Sequence, residues 1–366
     1  MGRLNDSHHG GNVFAAARAL RRPIDRLIDF SASINPLGPS PRALRAVCHA
    51  QRLLQHYPDP DCTVLRDALA ARWRCRSEQI VIGNGSTELI HLLPVALRIG
   101  RLMVVGPTFS EYARAMERRG GSVYMVSADR ANGYRPPLAS VFRAIRRRRP
   151  PVDAVLLCNP NSPTGQASDA GEVIKLVQVT ERTGIRLIVD ETFIDYCEKR
   201  SILPLIGQYE NVIVLRSFTK FFGLPGLRAG YLVASSDVSQ AVRAVQPPWS
   251  VNTLAQEAAL AALKDRRHAE RSRRFMIQER TRFTVLLSAL PGCSVYPSQA
   301  NFLLMELPRR LRAATLTTRL RQQGLLIRDC SAVPGLNPRS IRLAVRTRHE
   351  NDRLVRALSY ELKRKP

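Results

Sequence analysis

One lysine stands among hydroxyls, glycines and a guanidinium in Ser217-Phe-Thr-Lys220-Phe-Phe-Gly223-Leu-Pro-Gly-Leu-Arg228-Ala-Gly230-Tyr. Phenylalanines beside Lys220 strip water from its amine. Loss of water disfavours the ammonium form, lowers the pKa and favours a nucleophile. Ser217, Thr219 and Arg228 offer hydroxyls and a planar fork, groups suited to holding a phosphate. A second phosphate-suited stretch is Gly83-Asn-Gly85-Ser86-Thr87-Glu88. A glycine turn that opens a helix presents free amides and the positive end of the helix dipole. Asn159-Pro-Asn161-Ser-Pro163-Thr-Gly165 and the carboxylate of Asp190, thirty residues before Lys220, each follow an apolar run. Arg328 and Arg342 fall in Leu326-Ile-Arg328-Asp-Cys-Ser and Ile341-Arg342-Leu-Ala-Val-Arg346. A guanidinium fork can hold an anionic group bidentately.

These residues need elements to hold them. Short apolar runs alternate with longer amphipathic stretches, the pattern of an α/β protein. Strands are expected at Gln79–Ile82, Leu102–Val105, Ser122–Val126, Ala154–Leu157, Arg186–Val189, Val212–Leu215 and Gly230–Val233. Their unbroken apolar character predicts a largely parallel sheet buried on both faces. Lys220 and Asp190 then lie beyond the carboxyl ends of strands, where such sheets bind ligands. Helices are expected at Thr87–Leu97 and Ala170–Thr183. The last third predicts strands at Asn301–Leu307, Leu325–Cys330 and Ser340–Val345 and a helix from about Asn351. Residues 1–45 read as a Pro- and Gly-punctuated arm, extended rather than helical, that packs with this later part. The expected division is 1–45 (arm), 46–248 (large cofactor-binding domain) and 249–366 (small α+β domain).

Composition sets the outer limits. The chain has 366 residues, 45% of them hydrophobic and 23% charged, which fits a globular enzyme subunit. Seven scattered cysteines form no CxxC pair, so neither a disulfide framework nor a metal site is expected. The start is polar and no apolar run reaches membrane-spanning length, which predicts a cytoplasmic protein with no membrane partner. The net charge of +26 is the abnormal number. Only six of the 56 basic residues are lysines, and the arginines are spread along the chain. We read them as a solvated surface rather than a nucleic-acid site, with attraction of anionic substrates as a by-product.

The lysine motif resembles that of fold-type I pyridoxal-phosphate enzymes of the histidinol-phosphate aminotransferase-like group, and the other motifs follow in the family's order. The resemblance implies the fold-type I transferase fold, a large domain with a mostly parallel seven-stranded sheet plus a smaller α+β domain. It implies pyridoxal 5'-phosphate as cofactor, carried by Lys220, with Asp190 against the pyridinium nitrogen and Asn161 on the phenolic oxygen. Phe109 would stack on the ring. Gly85, Ser86, Thr87, Ser217, Thr219 and Arg228 would hold the phosphate, and Tyr57 would reach the cofactor of a neighbouring subunit in a homodimer. The sequence departs from the family at NPNSPTG, usually NPNNPTG, and at Phe193, where many relatives carry tyrosine.

Within that group, His9-Gly10-Gly-Asn and Asp29-Phe-Ser-Ala-Ser-Ile-Asn35-Pro-Leu-Gly-Pro are similar to the threonine-phosphate decarboxylases of cobalamin biosynthesis. This resemblance implies His9, Gly10, Asn35, Asn161, Arg328 and Arg342 as contacts to a phosphorylated amino acid. The alternatives are an aminotransferase acting on histidinol phosphate, a serine-phosphate decarboxylase and, from another class, an arginine-rich nucleic-acid-binding protein.

Overall fold

The computed structural model describes residues 10–147 and 151–364. After the short β1 (Ile28–Asp29) come β2 (Ile80–Asn84), β3 (Arg101–Gly106), β4 (Ser122–Ser127) and β5 (Ala154–Cys158). They are followed by β6 (Arg186–Asp190), β7 (Val212–Ser217) and β8 (Ala229–Val233). Strands β2 to β8 form one seven-stranded sheet in the order β2-β8-β7-β6-β5-β3-β4. Only β8 runs antiparallel to its neighbours.

The unbroken apolar runs now have their explanation. Alternate residues feed two cores on opposite faces of the sheet. Ile80, Ile82, Met103, Val105, Val155, Leu157, Leu187, Val189, Val212 and Val214 face one. Val81, Leu102, Val104, Leu156, Ile188, Ile213 and Leu215 face the other. Each such side chain contributes roughly 1.5–3 kcal/mol by leaving water, so neither face tolerates a polar residue cheaply. Polar residues therefore gather at the strand ends. Register places Cys158 beside Asp190, Asp190 beside Leu215 and Ser217 beside Gly230 along one edge.

A second sheet joins β12 (Arg328–Asp329), β13 (Ser340–Ala344), β10 (Phe302–Glu306) and β9 (Ser294–Val295), each pair antiparallel. The expected strand 325–330 divides in two. The first piece, β11 (Leu325–Leu326), pairs in parallel with β1, and the second changes partner to β13. Pairing of β1 with β11 ties Ile28–Asp29 of the arm to this part of the molecule. The C-terminal helix Arg348–Lys363 begins earlier than anticipated because Thr347 and Glu350 form a reciprocal cap.

The arm differs from its expected form. It contains a helix, Val13–Leu20, whose first turn is capped by Asn12, and a second, Pro41–Ala50, capped by Ser40 with proline in the first turn. The segment between them is the irregular part. Ala43 of the second helix packs with Ala255, Ala258 and Ala259 of the helix Thr253–Lys264 within the large sheet's core. Residues 253–264 thus belong by packing to the large sheet. The 23-residue helix Arg266–Ser288 instead sends Met276, Phe283 and Leu287 into the core of the smaller sheet. Among the described residues no helix is long and apolar enough to cross a membrane, and no acidic, histidine and cysteine cluster could hold a metal.

Candidate active site

A cavity of about 430 Å³ opens at the carboxyl ends of β5, β6 and β7, between the large sheet, the arm and β12–β13. Of the residues expected from sequence, Gly10, Ser86, Thr87, Phe109, Asp190, Thr219, Lys220, Arg228, Arg328 and Arg342 line it.

Lys220 lies three residues beyond β7. Burial, reinforced by repulsion from Arg342 and Arg228, pushes its amine down to about 8. The neutral, nucleophilic amine is therefore far more accessible near neutral pH than in an ordinary lysine, as the sequence anticipates. Asp190 ends β6 and is 3% exposed. Burial raises its pKa, and hydrogen bonds from Thr192 and Tyr112 oppose the rise. Tyr112 Oη donates to Oδ2 at 2.7 Å, and the Thr192 amide donates to Oδ1 at 2.8 Å. Behind it, Glu191 turns to the opposite face and meets the buried Arg216 of β7 at 2.8 Å. That pair pins the two strand ends from which Asp190 and Lys220 project.

The phosphate-suited groups converge at another wall. Helix Gly85–Ala96 starts at the cavity, and its first amides have no acceptor within the helix. Gly85 has a positive φ of 73°, and a β-carbon there would lie 2.5 Å from Arg228 Nη2. Only glycine lets the guanidinium approach this turn. Ser217 is buried and shares a 2.8 Å hydrogen bond with Thr219, which does reach the cavity. Amides at a helix N-terminus, a hydroxyl and a guanidinium suit a phosphate, while the lysine and the buried carboxylate suit an aldehyde and a protonated ring nitrogen. The donor set fits pyridoxal phosphate.

The arm and β13 supply the last wall. Arg342 Nη1 donates to Ser162 Oγ at 2.9 Å, and Nη2 donates to the Ser31 carbonyl at 2.8 Å. Its guanidinium lies 5.0 Å over the Phe302 ring, which Phe193 meets edge-on at 5.0 Å. The phenylalanine at 193 thus supports an aromatic platform under Arg342. Arg328 pairs across the ladder with Arg342. Gly10 packs so tightly that a β-carbon would lie 2.3 Å from the Ser31 carbonyl oxygen.

Three expected residues are placed elsewhere. Asn161 is not brought to the cavity. Its Nδ2 is committed to the Pro107 carbonyl at 2.7 Å and Thr164 at 2.8 Å, and its neighbour Ser162 faces the cavity instead. Asn35 is turned away as well. Its Nδ2 donates to the Phe221 carbonyl and to Ser272, and its backbone N–H donates to the Lys220 carbonyl at 3.0 Å. It braces the lysine loop rather than facing a substrate. Tyr57 is 80% exposed and stacks on Trp249 at 4.7 Å, outside its own chain's cavity. His9 lies outside the described residues. Sequence reasoning missed Ser31, Ser33, Tyr112, Ser162 and Thr192; Ser33 lines the cavity with a buried hydroxyl that has no partner among the described residues.

Comparison with known proteins gives a consistent result. Residues 25–358 match the family described as aminotransferase class I and II. The chain is 38% identical to threonine-phosphate decarboxylase of Salmonella typhimurium, over 97% of this chain and 96% of the relative. It is 31% identical, over 97% of its length, to 41% of the bifunctional adenosylcobalamin biosynthesis protein CobDQ of Leptospira interrogans. It is 36% identical to histidinol-phosphate aminotransferase of Roseiflexus castenholzii, over 93% of this chain and 91% of the relative. The crystal structure of L-threonine-O-3-phosphate decarboxylase from Porphyromonas gingivalis superposes with a TM-score of 0.80 at 27% identity. That match covers 92% of this chain and 99% of the other.

Proposed function

The chain belongs to the aminotransferase class I and II family, and from that premise we propose that it decarboxylates L-threonine O-3-phosphate. The product is (R)-1-amino-2-propanol O-2-phosphate, a step of cobalamin biosynthesis. The observation that carries this reading is the full-length 38% identity to a threonine-phosphate decarboxylase, joined to a cavity with two paired arginines, Arg328 and Arg342.

Pyridoxal phosphate, when bound, supplies an electron sink for the pair left at Cα as the carboxylate departs. The protein's part is to hold and orient. Lys220 would carry the cofactor, and Ser86, Thr87, Thr219 and Arg228 would hold its phosphate. Phe109 would cover the ring and Asp190 would meet its nitrogen. Arg328 and Arg342 would hold the substrate's phosphate and carboxylate, with Gly10 and the arm closing the wall. Fixing both anions would hold the Cα–carboxylate bond in one orientation and so select it for cleavage. Lys220 Nζ would supply the one proton that takes the place of the departing carbon dioxide at Cα. One bond to carbon dioxide is lost and one C–H bond is gained.

The chain works as a cytoplasmic homodimer without nucleic-acid or membrane partners. The exposed pair Tyr57 and Trp249 supports this, because a second copy would cover it and bring Tyr57 to that copy's cofactor phosphate. Spectral titration of the cofactor-loaded protein tests the substrate assignment. Threonine phosphate should perturb the visible band at far lower concentration than histidinol phosphate. The reverse order would favour the aminotransferase.

A further inference from the structure

The mechanism above uses Asp190 but leaves open what keeps a fully buried carboxylate ionised. We propose that Tyr112 is a positioning residue that fixes, through its hydroxyl, both the orientation and the negative charge of Asp190. The inference rests on the pyridoxal-phosphate reading of the cavity.

Asp190 is enclosed, and burial pushes its pKa up, toward the protonated form. A neutral acid could not hold a ring nitrogen in its protonated form. Hydrogen bonds oppose that outcome from two directions, from the Thr192 side chain and amide on one and from Tyr112 on the other. The Thr192 amide holds Oδ1 from the chain following β6, and Tyr112 holds Oδ2 from the helix Glu111–Glu117. With both oxygens engaged, the carboxylate plane cannot rotate. Charge-assisted bonds of this kind are about twice as strong as neutral ones.

Tyr112 is also a donor that cannot fail. It is 1% exposed, and burial next to the Asp190 charge pushes its phenol well above the usual tyrosine range. The other titratable groups facing Asp190 are Cys158 on β5 and Lys220 beyond β7. Burial raises the Cys158 thiol, which stays protonated. Lys220 would be consumed in carrying the cofactor. Tyr112 packs edge-on against Phe109, with ring centroids 5.6 Å apart. One short segment therefore presents the ring-covering aromatic and sets the charge beneath it.

The test uses holoenzyme loaded with cofactor labelled with ¹⁵N at the ring nitrogen, comparing wild type with Tyr112→Phe. In the wild type the nitrogen resonance should report a protonated ring and stay constant from about pH 6 to about pH 9, because neither Tyr112 nor Cys158 titrates there. In Tyr112→Phe the resonance should shift toward the unprotonated value. The cofactor dissociation constant should rise on the order of tenfold, as expected for loss of one charged hydrogen bond. A Tyr112→Phe protein whose nitrogen shift and cofactor affinity match wild type would overturn the proposal. A wild-type nitrogen that titrates within that pH range would overturn it without reference to any variant. Failure of the wild type to bind the cofactor at all would instead overturn the reading on which the proposal rests.

Discussion

Replacing Arg342 with methionine removes the guanidinium while keeping much of its stem over Phe302. Three things are lost: the bond to Ser162, the bond to the Ser31 carbonyl, and the charge that meets the substrate anion. The first two concern the folded protein. A buried carbonyl left without its donor costs about 1–3 kcal/mol, offset in part because a largely enclosed cation no longer has to be desolvated. Melting temperature should therefore change by only a few degrees. The third loss concerns the reaction. Truncating one partner of an enclosed, hydrogen-bonded charge pair costs about 2–5 kcal/mol, and Arg328 beside it compensates part of the charge. We expect kcat/KM for threonine phosphate to fall roughly 30- to several-hundred-fold. Arg342→Lys should recover charge but not the two-pronged geometry, and so lie between. The assay is carbon dioxide release under initial-rate conditions, alongside thermal melting of both variants. A kcat/KM within about threefold of wild type, in a variant that melts normally, would refute the role given to Arg342.

Asp190→Asn should retain cofactor binding and lose several orders of magnitude in rate, measured by single-turnover kinetics; near-normal turnover would contradict its role. In the apoprotein, Lys220 sits at about 8 against an ordinary 10.5, so between those values the unfolded chain binds more protons than the folded one. Stability relative to Lys220→Met should therefore rise with pH across that window, by on the order of 2–3 kcal/mol, as read by denaturant titration at several pH values. Serine phosphate should be a substrate slower by roughly 10- to 200-fold, since it lacks only one methyl group. Duplex DNA should bind weakly, without sequence preference and with a steep loss in salt, as a diffuse arginine surface requires; fluorescence anisotropy over a salt series decides this.

Much of the site was legible because two regularities coincide. Apolar runs mark the strands, and polar residues just past their carboxyl ends must face the binding edge of the sheet. Asp190 and Lys220 satisfy both conditions, and the structure puts both on one cavity. Legibility fails where the chain is irregular. Asn161 and Ser162 are adjacent in a loop without periodicity, so no sequence rule says which one looks inward. Asn35 follows a tight turn in which the Ile34 amide returns to the Ala32 carbonyl. Ser31, Ala32 and Ser33 line the cavity, and beyond that turn Asn35 goes to the lysine loop. Tyr112 gave no signal, since a tyrosine among apolar residues of a short helix reads as core. The helix Thr253–Lys264 was assigned to the later domain because it follows a loop, but its alanine face fits closely against Ala43 and the large sheet's core.

Selection of decarboxylation by the two arginines and the arm, on a scaffold shared with aminotransferases, is tested by incubating purified, cofactor-loaded protein with carboxyl-labelled threonine phosphate, with and without 2-oxoglutarate. Labelled carbon dioxide and aminopropanol phosphate should form in equal amounts, at a rate indifferent to the keto acid. Glutamate formation that depends on 2-oxoglutarate, with no carbon dioxide released, would contradict it.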